Sequence, residues 1–377
     1  MKNDLAQTLM TEFADSTGIS GKTSPRRYLW TDAFAVCNFL GLYRTTGNDQ
    51  YLNFALELVH QVHHILGRHR ANDVQHGWIS GLSEVEGERH PTRGGLRIGK
   101  TLNERGPDQP VDARLEWDRD GQYFHYLTKW MHALYCVCRE TGENRYLSWA
   151  AELAMTAHRA FTYEISPGAP KRMVWKMSID LSRPLVDSMG HHDPLDGLIA
   201  CLELQIADGF AAQEGIDMTP AIADFDAMCA SSHWATHDPL GIGGLLDHSV
   251  RLSQMVYERG VDRRELLVRL FREIVLSLQM FERSSPLDES AEHRLAFREL
   301  GLSIGLRGLG SIAELVSHDR ELKELVNRLL PYHSLVEQIE SVWLEPRHRH
   351  GRMWIDHRDI NTVMLATSLA PEAYLRL

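Results

Sequence analysis

Carboxylates and imidazoles recur in this sequence just ahead of segments with helical apolar spacing, and their types suit acid–base chemistry. Asp118 and Asp120 lie within three residues of each other, and Asp187 precedes the next such segment. A protonated carboxyl at Asp118 or Asp120, with an ionised one at Asp187, makes a general acid and a general base. His191 and His192 follow Asp187 and titrate near neutrality, which makes His192 a further candidate base. Two bases on opposite faces of a substrate carbon could instead exchange its proton, with His237 or His357 partnering His192.

The pattern repeats along the chain. Trp30 and Asp32 open one apolar-periodic segment, and Trp117, Asp118, Asp120, Tyr123 and His125 surround the start of another. Later segments are entered through Asp187, His191, His192, Asp193 and Asp196, through His233, Trp234, His237 and Asp238, and through Trp354, Asp356, His357 and Asp359. One entry, with His293, Arg294, Arg298 and Glu299, shows less pattern. A plain alternative exists for each acid, because Asp at a helix start accepts free backbone N–H groups and suits the positive end of the dipole. In His192-Asp193-Pro194 and His237-Asp238-Pro239, an N-cap followed by proline at N1 accounts for both aspartates but not for the histidines. The tryptophans could stack on a ring-shaped ligand or fill a core.

The elements that must position these groups are helices. Tyr43-Arg44-Thr45-Thr46-Gly47-Asn48-Asp49-Gln50-Tyr51-Leu52 returns 95 residues later as Cys138-Arg139-Glu140-Thr141-Gly142-Glu143-Asn144-Arg145-Tyr146-Leu147, which reads as helix, glycine cap, helix. Tyr123, Tyr126, Leu127, Trp130, Met131 and Leu134 keep the spacing of a buried helical face. Further pairs are expected at 194–209 with 219–230, 240–258 with 263–282 and 294–316 with 319–341, and 356–370 could pair with a helix near 3–14. Short strands are expected at Arg172–Met177 and Met353–Ile355. With no Pro-, Gly- or Ser-rich linker, residues 1–377 read as one all-α domain of six helical hairpins closed into a ring.

The Thr-Gly-x-x-x-Tyr-Leu turn, with Trp30-Thr31-Asp32 and Trp117-Asp118-Arg119-Asp120 ahead of the first helix of a pair, resembles the (α/α)6 toroids of carbohydrate-active enzymes. These include six-hairpin glycosidases and N-acylglucosamine 2-epimerases. The resemblance implies an (α/α)6 toroid with short accessory strands whose cavity takes a sugar, a sugar acid or an oligosaccharide. Hydrolysis is the leading reaction, with Asp118 or Asp120 and Asp187 as the carboxylate pair whose separation would decide inversion or retention. An epimerase using histidines, or a carbohydrate-binding scaffold in which these groups only cap helices, are the alternatives.

The stretch from Arg70 to Arg119 is long for an irregular excursion. It carries Trp78, Glu84, Arg93, Gly94, Gly95 and Arg97, which fit a lid whose arginines meet a carboxylate or phosphate, or an exposed loop with self-paired charges. Trp30, Asp32, Trp78, Glu84, Arg93, Arg97, Trp117, Tyr123, His125, His191, His237, Trp354, Asp356 and His357 are therefore the expected substrate contacts.

Several classes are disfavoured. The net charge of −11 and pI near 6.0 argue against nucleic acid or an anionic membrane as partner. No GxSxG, HExxH, GxGxxG or P-loop pattern occurs where its mechanism needs it, so neither a metal nor another cofactor is expected. The five cysteines lack a CxxC pair and read as buried thiols of a cytoplasmic protein without signal peptide or membrane span.

Overall fold

The computed structural model describes residues 2–210 and 216–377, and helices make up 65% of the chain. Its first helix, α1 (Lys2–Ser16), begins in a compact unit formed by residues 1–13 and 233–377, while residues 14–232 form a second unit. Among the described residues no helix is long and apolar enough to cross a membrane.

The unit of residues 14–232 contains α2 (Leu29–Thr46), α3 (Asp49–Leu66), the short α4 (Glu84–Arg89) and α5 (Ala113–Asp118), α6 (Phe124–Thr141), α7 (Asn144–Phe161), α8 (Asp193–Gln205) and α9 (Thr219–Cys229). The hairpins α2/α3, α6/α7 and α8/α9 form as the spacing anticipates, and their first helices pack side by side in the order α2, α6, α8. Both copies of the repeated turn close identically. Gly47 and Gly142 take left-handed φ values of 66° and 72° and donate to Tyr43 and Cys138 carbonyls, each at 2.8 Å. The preceding threonines, Thr46 and Thr141, each accept the N–H two residues on at 3.2 Å. Packing supplies most of the stabilisation: Phe124, Leu127, Trp130, Met131 and Leu134 of α6 are all buried, at about 1.5–3 kcal/mol for each such side chain.

Four two-residue strands complete the unit. β1 (Gln122–Tyr123) pairs antiparallel with β4 (Lys176–Met177), and β2 (Thr162–Tyr163) with β3 (Arg172–Met173).

The other unit contains α10 (Pro239–Arg259), α11 (Arg264–Ser284), α12 (Ala296–Arg307), α13 (Leu309–Leu315), α14 (Arg320–Leu329), α15 (Ser334–Leu344), α16 (Pro346–Arg349), α17 (Arg352–Ile355), α18 (Arg358–Leu369) and α19 (Glu372–Leu375). Here α10 packs on α11 and α12, and α12 on α18. The expected pair 294–316 with 319–341 is cut into shorter helices; Pro331, which has no N–H to donate, sits in the 3-10 turn between α14 and α15. Met353–Ile355 is not a strand. The Gly351 carbonyl accepts from Trp354 and Ile355 N–H groups, each at 3.1 Å, so this stretch closes on itself as α17 and buries Trp354 beside Trp343.

The 70–119 excursion is anchored from within. Asp120 is fully buried and accepts from Arg70 Nη1 (3.1 Å), Arg97 Nη1 (2.9 Å) and the N–H groups of Gly99 (3.0 Å) and Lys100 (3.3 Å). Gln122 binds Leu96 N–H and the carbonyls of Gly94 and Ile179. Gly95 is required there, since a Cβ would stand 2.0 Å from Gln122 Oε1. Beneath them Lys176, also fully buried, donates to Glu116 Oε1, whose other oxygen accepts from Arg105. Removing the Asp120 charge leaves Arg70 and Arg97 uncompensated, so Asp120→Ala should cost about 3–5 kcal/mol in urea unfolding and open residues 70–119 to protease. A variant as stable and as protease-resistant as wild type would refute the anchor.

Candidate active site

Three helix starts in the unit of residues 14–232 carry the densest chemistry. Tyr28, Tyr123 and His192 occupy the N-cap positions of α2, α6 and α8, and none caps with its side chain. At α2, Asp32 reaches back to accept Tyr28 N–H at 2.9 Å and lies 3.6 Å from buried Arg27, so its carboxylate organises the helix start.

Aromatic rings form a continuous chain from there. Tyr28 and Tyr126 share a hydroxyl hydrogen bond of 2.7 Å, Tyr126 meets His125 edge-on at 4.6 Å, and the His125 ring stacks over Tyr123 at 5.8 Å. Tyr123 touches Trp175 edge-on at 5.1 Å, and Trp175 stacks on Trp117 at 4.7 Å and 22°. Trp117 is 55% exposed, so this stack presents a flat apolar face to solvent. Burial pushes the Tyr28 hydroxyl up to about 12 and raises that of Tyr123 as well.

Asp193 is the unusual acid. It is not the cap of α8 but its first residue. Its carboxyl is buried, with Oδ1 3.9 Å from His125 Nδ1, and Oδ2 has no hydrogen-bond partner among the described residues. Gly190 makes this seat possible, since a Cβ there would stand 2.4 Å from Oδ2. Burial, and then the neighbouring Asp196, raise the Asp193 carboxyl well above its ordinary value, against the Gly190 backbone N–H, which lowers it. Desolvation lowers His125 to about 4, so its imidazole is neutral at pH 7. One turn further along α8, Asp196 faces Lys129 of α6 with Nζ 3.6 Å from Oδ1. The cap account does hold for Asp238, which accepts Gly241 N–H at 3.1 Å and also binds Arg298 at 2.6 Å.

The expected site residues divide accordingly. Tyr123, His125 and Trp117 belong to the aromatic chain, and Asp118 ends α5 beside it with an exposed carboxylate. Exposed Asp187 and His191 lie on the segment leading into α8, with the His191 ring 4.6 Å from that of His192. Asp120 and Arg97 are bound to each other in the loop anchor, and Trp30 packs in the core against Phe34 at 4.4 Å. Trp78 lies under the Arg68 guanidinium, which pairs with Glu84, and Arg93 reaches Glu152 at 3.1 Å. In the other unit, His237 is exposed ahead of the α10 cap, Trp354 is buried, Asp356 pairs with Arg352 at 3.3 Å, and His357 starts α18 with its ring 5.6 Å from Phe297. Sequence reasoning left out Tyr28, Tyr126, Lys129 and Trp175 and set Asp193 aside as a cap. Lys129 sits one turn after His125 on the same helical face, a spacing that could have flagged it.

No protein-family profile and no curated protein matches the chain. Solved structures do. A GH76 α-mannanase from Bacteroides thetaiotaomicron matches at 8% identity over 99% of this chain and 96% of its own, with a TM-score of 0.57. An inactive variant of the GH76A α-1,6-mannanase of Salegentibacter sp. HEL1_6, in complex with α-1,6-mannotriose, matches at 10% identity, covering 98% and 99%, with a TM-score of 0.54. Cellobiose 2-epimerase from Spirochaeta thermophila matches at 11% identity, covering 98% and 97%, with a TM-score of 0.50. At these identities the likeness is one of fold: the chain has the (α/α)6-toroid fold of the six-hairpin glycosidase-like proteins.

Proposed function

We propose that the protein is a carbohydrate-active enzyme, a glycoside hydrolase in which Asp193 is the general acid. The observation that carries this reading is the buried carboxyl of Asp193, 3.9 Å from His125 in the middle of the aromatic chain, whose Oδ2 makes no hydrogen bond among the described residues. A carboxyl whose protonated form burial favours can give its proton to a glycosidic oxygen, and the Trp117–Trp175 stack offers a face for a pyranose. Exposed Asp187 or Asp118 would supply the second carboxylate, acting on water or on the anomeric carbon. The mannanases that share the fold support a sugar substrate. One observation favours a second reading: neutral His125, with His192 heading α8, would suit proton exchange at a sugar carbon, as in an epimerase.

Oligosaccharides incubated with the protein in isotopic water distinguish the two. A hydrolase incorporates oxygen-18 at the anomeric carbon and creates a reducing end; an epimerase incorporates deuterium at carbon and creates none. Asp193→Asn should lower hydrolysis by about 10²–10⁴-fold. It should not destabilise the protein. Because the folded carboxyl titrates above its usual 3.8, wild-type stability falls as pH rises from 3.8 through the folded value, and the variant escapes that loss. Below pH 3.8 the two should melt alike. A variant that melts well below wild type at pH 7 with activity intact would sink the acid role.

His125 and His63, lowered to about 4 and about 3 by burial, have the opposite sign. Both are neutral when folded, so stability is full above pH 6.5 and drains as pH falls towards 4. His125→Gln should flatten part of that decline in urea melts; an unchanged slope would mean that His125 is solvated in the folded protein.

A further inference from the structure

Away from the aromatic chain, the cores of α2, α6 and α8 bring together groups that the proposed reaction does not use. Cys37 lies on α2, His132 and Cys136 lie one turn apart on α6, and Glu203 lies on α8. All four are buried. The ligand atoms of Cys37, His132 and Cys136 stand within 4.8 Å of one another. Cys37 and His132 occupy the same position of the 95-residue repeat, so packing its two copies sets them face to face.

We propose that Cys37, His132 and Cys136 form a binding site for a soft divalent transition-metal ion, zinc foremost, with Glu203 as its positioning residue. Three features carry this. Two thiols and an imidazole are the donor set that zinc prefers, and His132 and Cys136 at i, i+4 share one helical face. The geometry also fits. Cys136 Sγ lies 3.6 Å from His132 Nε2, and tetrahedral bonds of about 2.3 Å to sulfur and about 2.1 Å to nitrogen place such atoms about 3.6 Å apart. Finally, Glu203 Oε1 lies 2.5 Å from His132 Nδ1. A carboxylate on Nδ1 fixes the tautomer that leaves the Nε2 lone pair facing the sulfur, the arrangement found behind metal-binding histidines.

Binding is a proton exchange without redox change. Each thiol loses its proton to solvent as its sulfur bonds the ion, so two protons leave per dication and the ion with its two thiolates is neutral. Neutrality matters in a site without water-exposed ligands, because an uncompensated charge there is costly. The three donors leave one position of the tetrahedron for an added ligand.

The test uses the full chain, purified without a histidine tag from zinc-supplemented cells and analysed by elemental mass spectrometry. Expected is roughly one zinc per chain, the complement of a single site. After removal of zinc with a chelator, cobalt(II) should restore a thiolate-to-cobalt charge-transfer band together with the visible bands of tetrahedral cobalt. Cys37→Ser or Cys136→Ser should weaken that band, whereas Cys229→Ser, on α9, should not. Glu203→Gln should keep the band and weaken metal affinity about 10–100-fold. The cobalt spectrum of wild type needs no folded variant. Wild type that takes up no metal, or cobalt spectra without a sulfur band, would overturn the site. So would a Cys37–Cys136 disulfide in the protein as isolated.

Discussion

The charge of Asp120 is the constraint on which the helix starts of the unit of residues 14–232 depend. A carboxylate with no solvent exposure is tolerable only if fully satisfied, and this one takes two guanidinium groups and two backbone N–H groups. The four partners come from residues 70–100 and the acid from the strand side of α6, so pairing them fixes the long excursion onto α6. Glu116, Lys176 and Arg105 form a second buried charge cluster beside it, and Trp117, adjacent to Glu116, is carried into its stack on Trp175. The aromatic chain is thus held by ion pairs whose carboxylates are buried.

The carboxylates of this unit divide by what surrounds them. Asp120 and Glu116 face cations and are structural. Asp193 is buried beside another acid, Asp196, and both raise its carboxyl, while the Gly190 backbone opposes them. Holding it there works against the fold, and such local cost is characteristic of positions kept for chemistry.

How much of this was legible depends on the range of the interaction. The hairpins were readable because the Thr-Gly turn is local: the threonine, the glycine and their carbonyl partners lie within six residues of one another. The strand pairing of Gln122–Tyr123 was not, because its partner is over fifty residues away. Asp118, Asp120 and Asp187 looked alike in sequence; only the arrival of Arg70 and Arg97 sets Asp120 apart. The Asp-Pro pairs at 193 and 238 share one spelling, yet Asp238 is the N-cap of α10 and Asp193 the first residue of α8. The difference lies in what packs against them, Arg298 in one case and Gly190 in the other. Likewise Cys37, His132 and Cys136 share no motif because one donor comes from a different helix.

The grouping of residues 1–13 with 233–377 bears on synthesis. Met10 and Phe13 are buried, and Lys2 pairs with Glu340 at 2.8 Å. On the ribosome these residues emerge while the helices of their unit are still untranslated. Residues 14–232 can assemble as they appear, but the apolar side of α1 must wait for more than two hundred residues before its own unit exists. In that interval the nascent chain carries an unsatisfied hydrophobic strip, the kind of surface that chaperones bind.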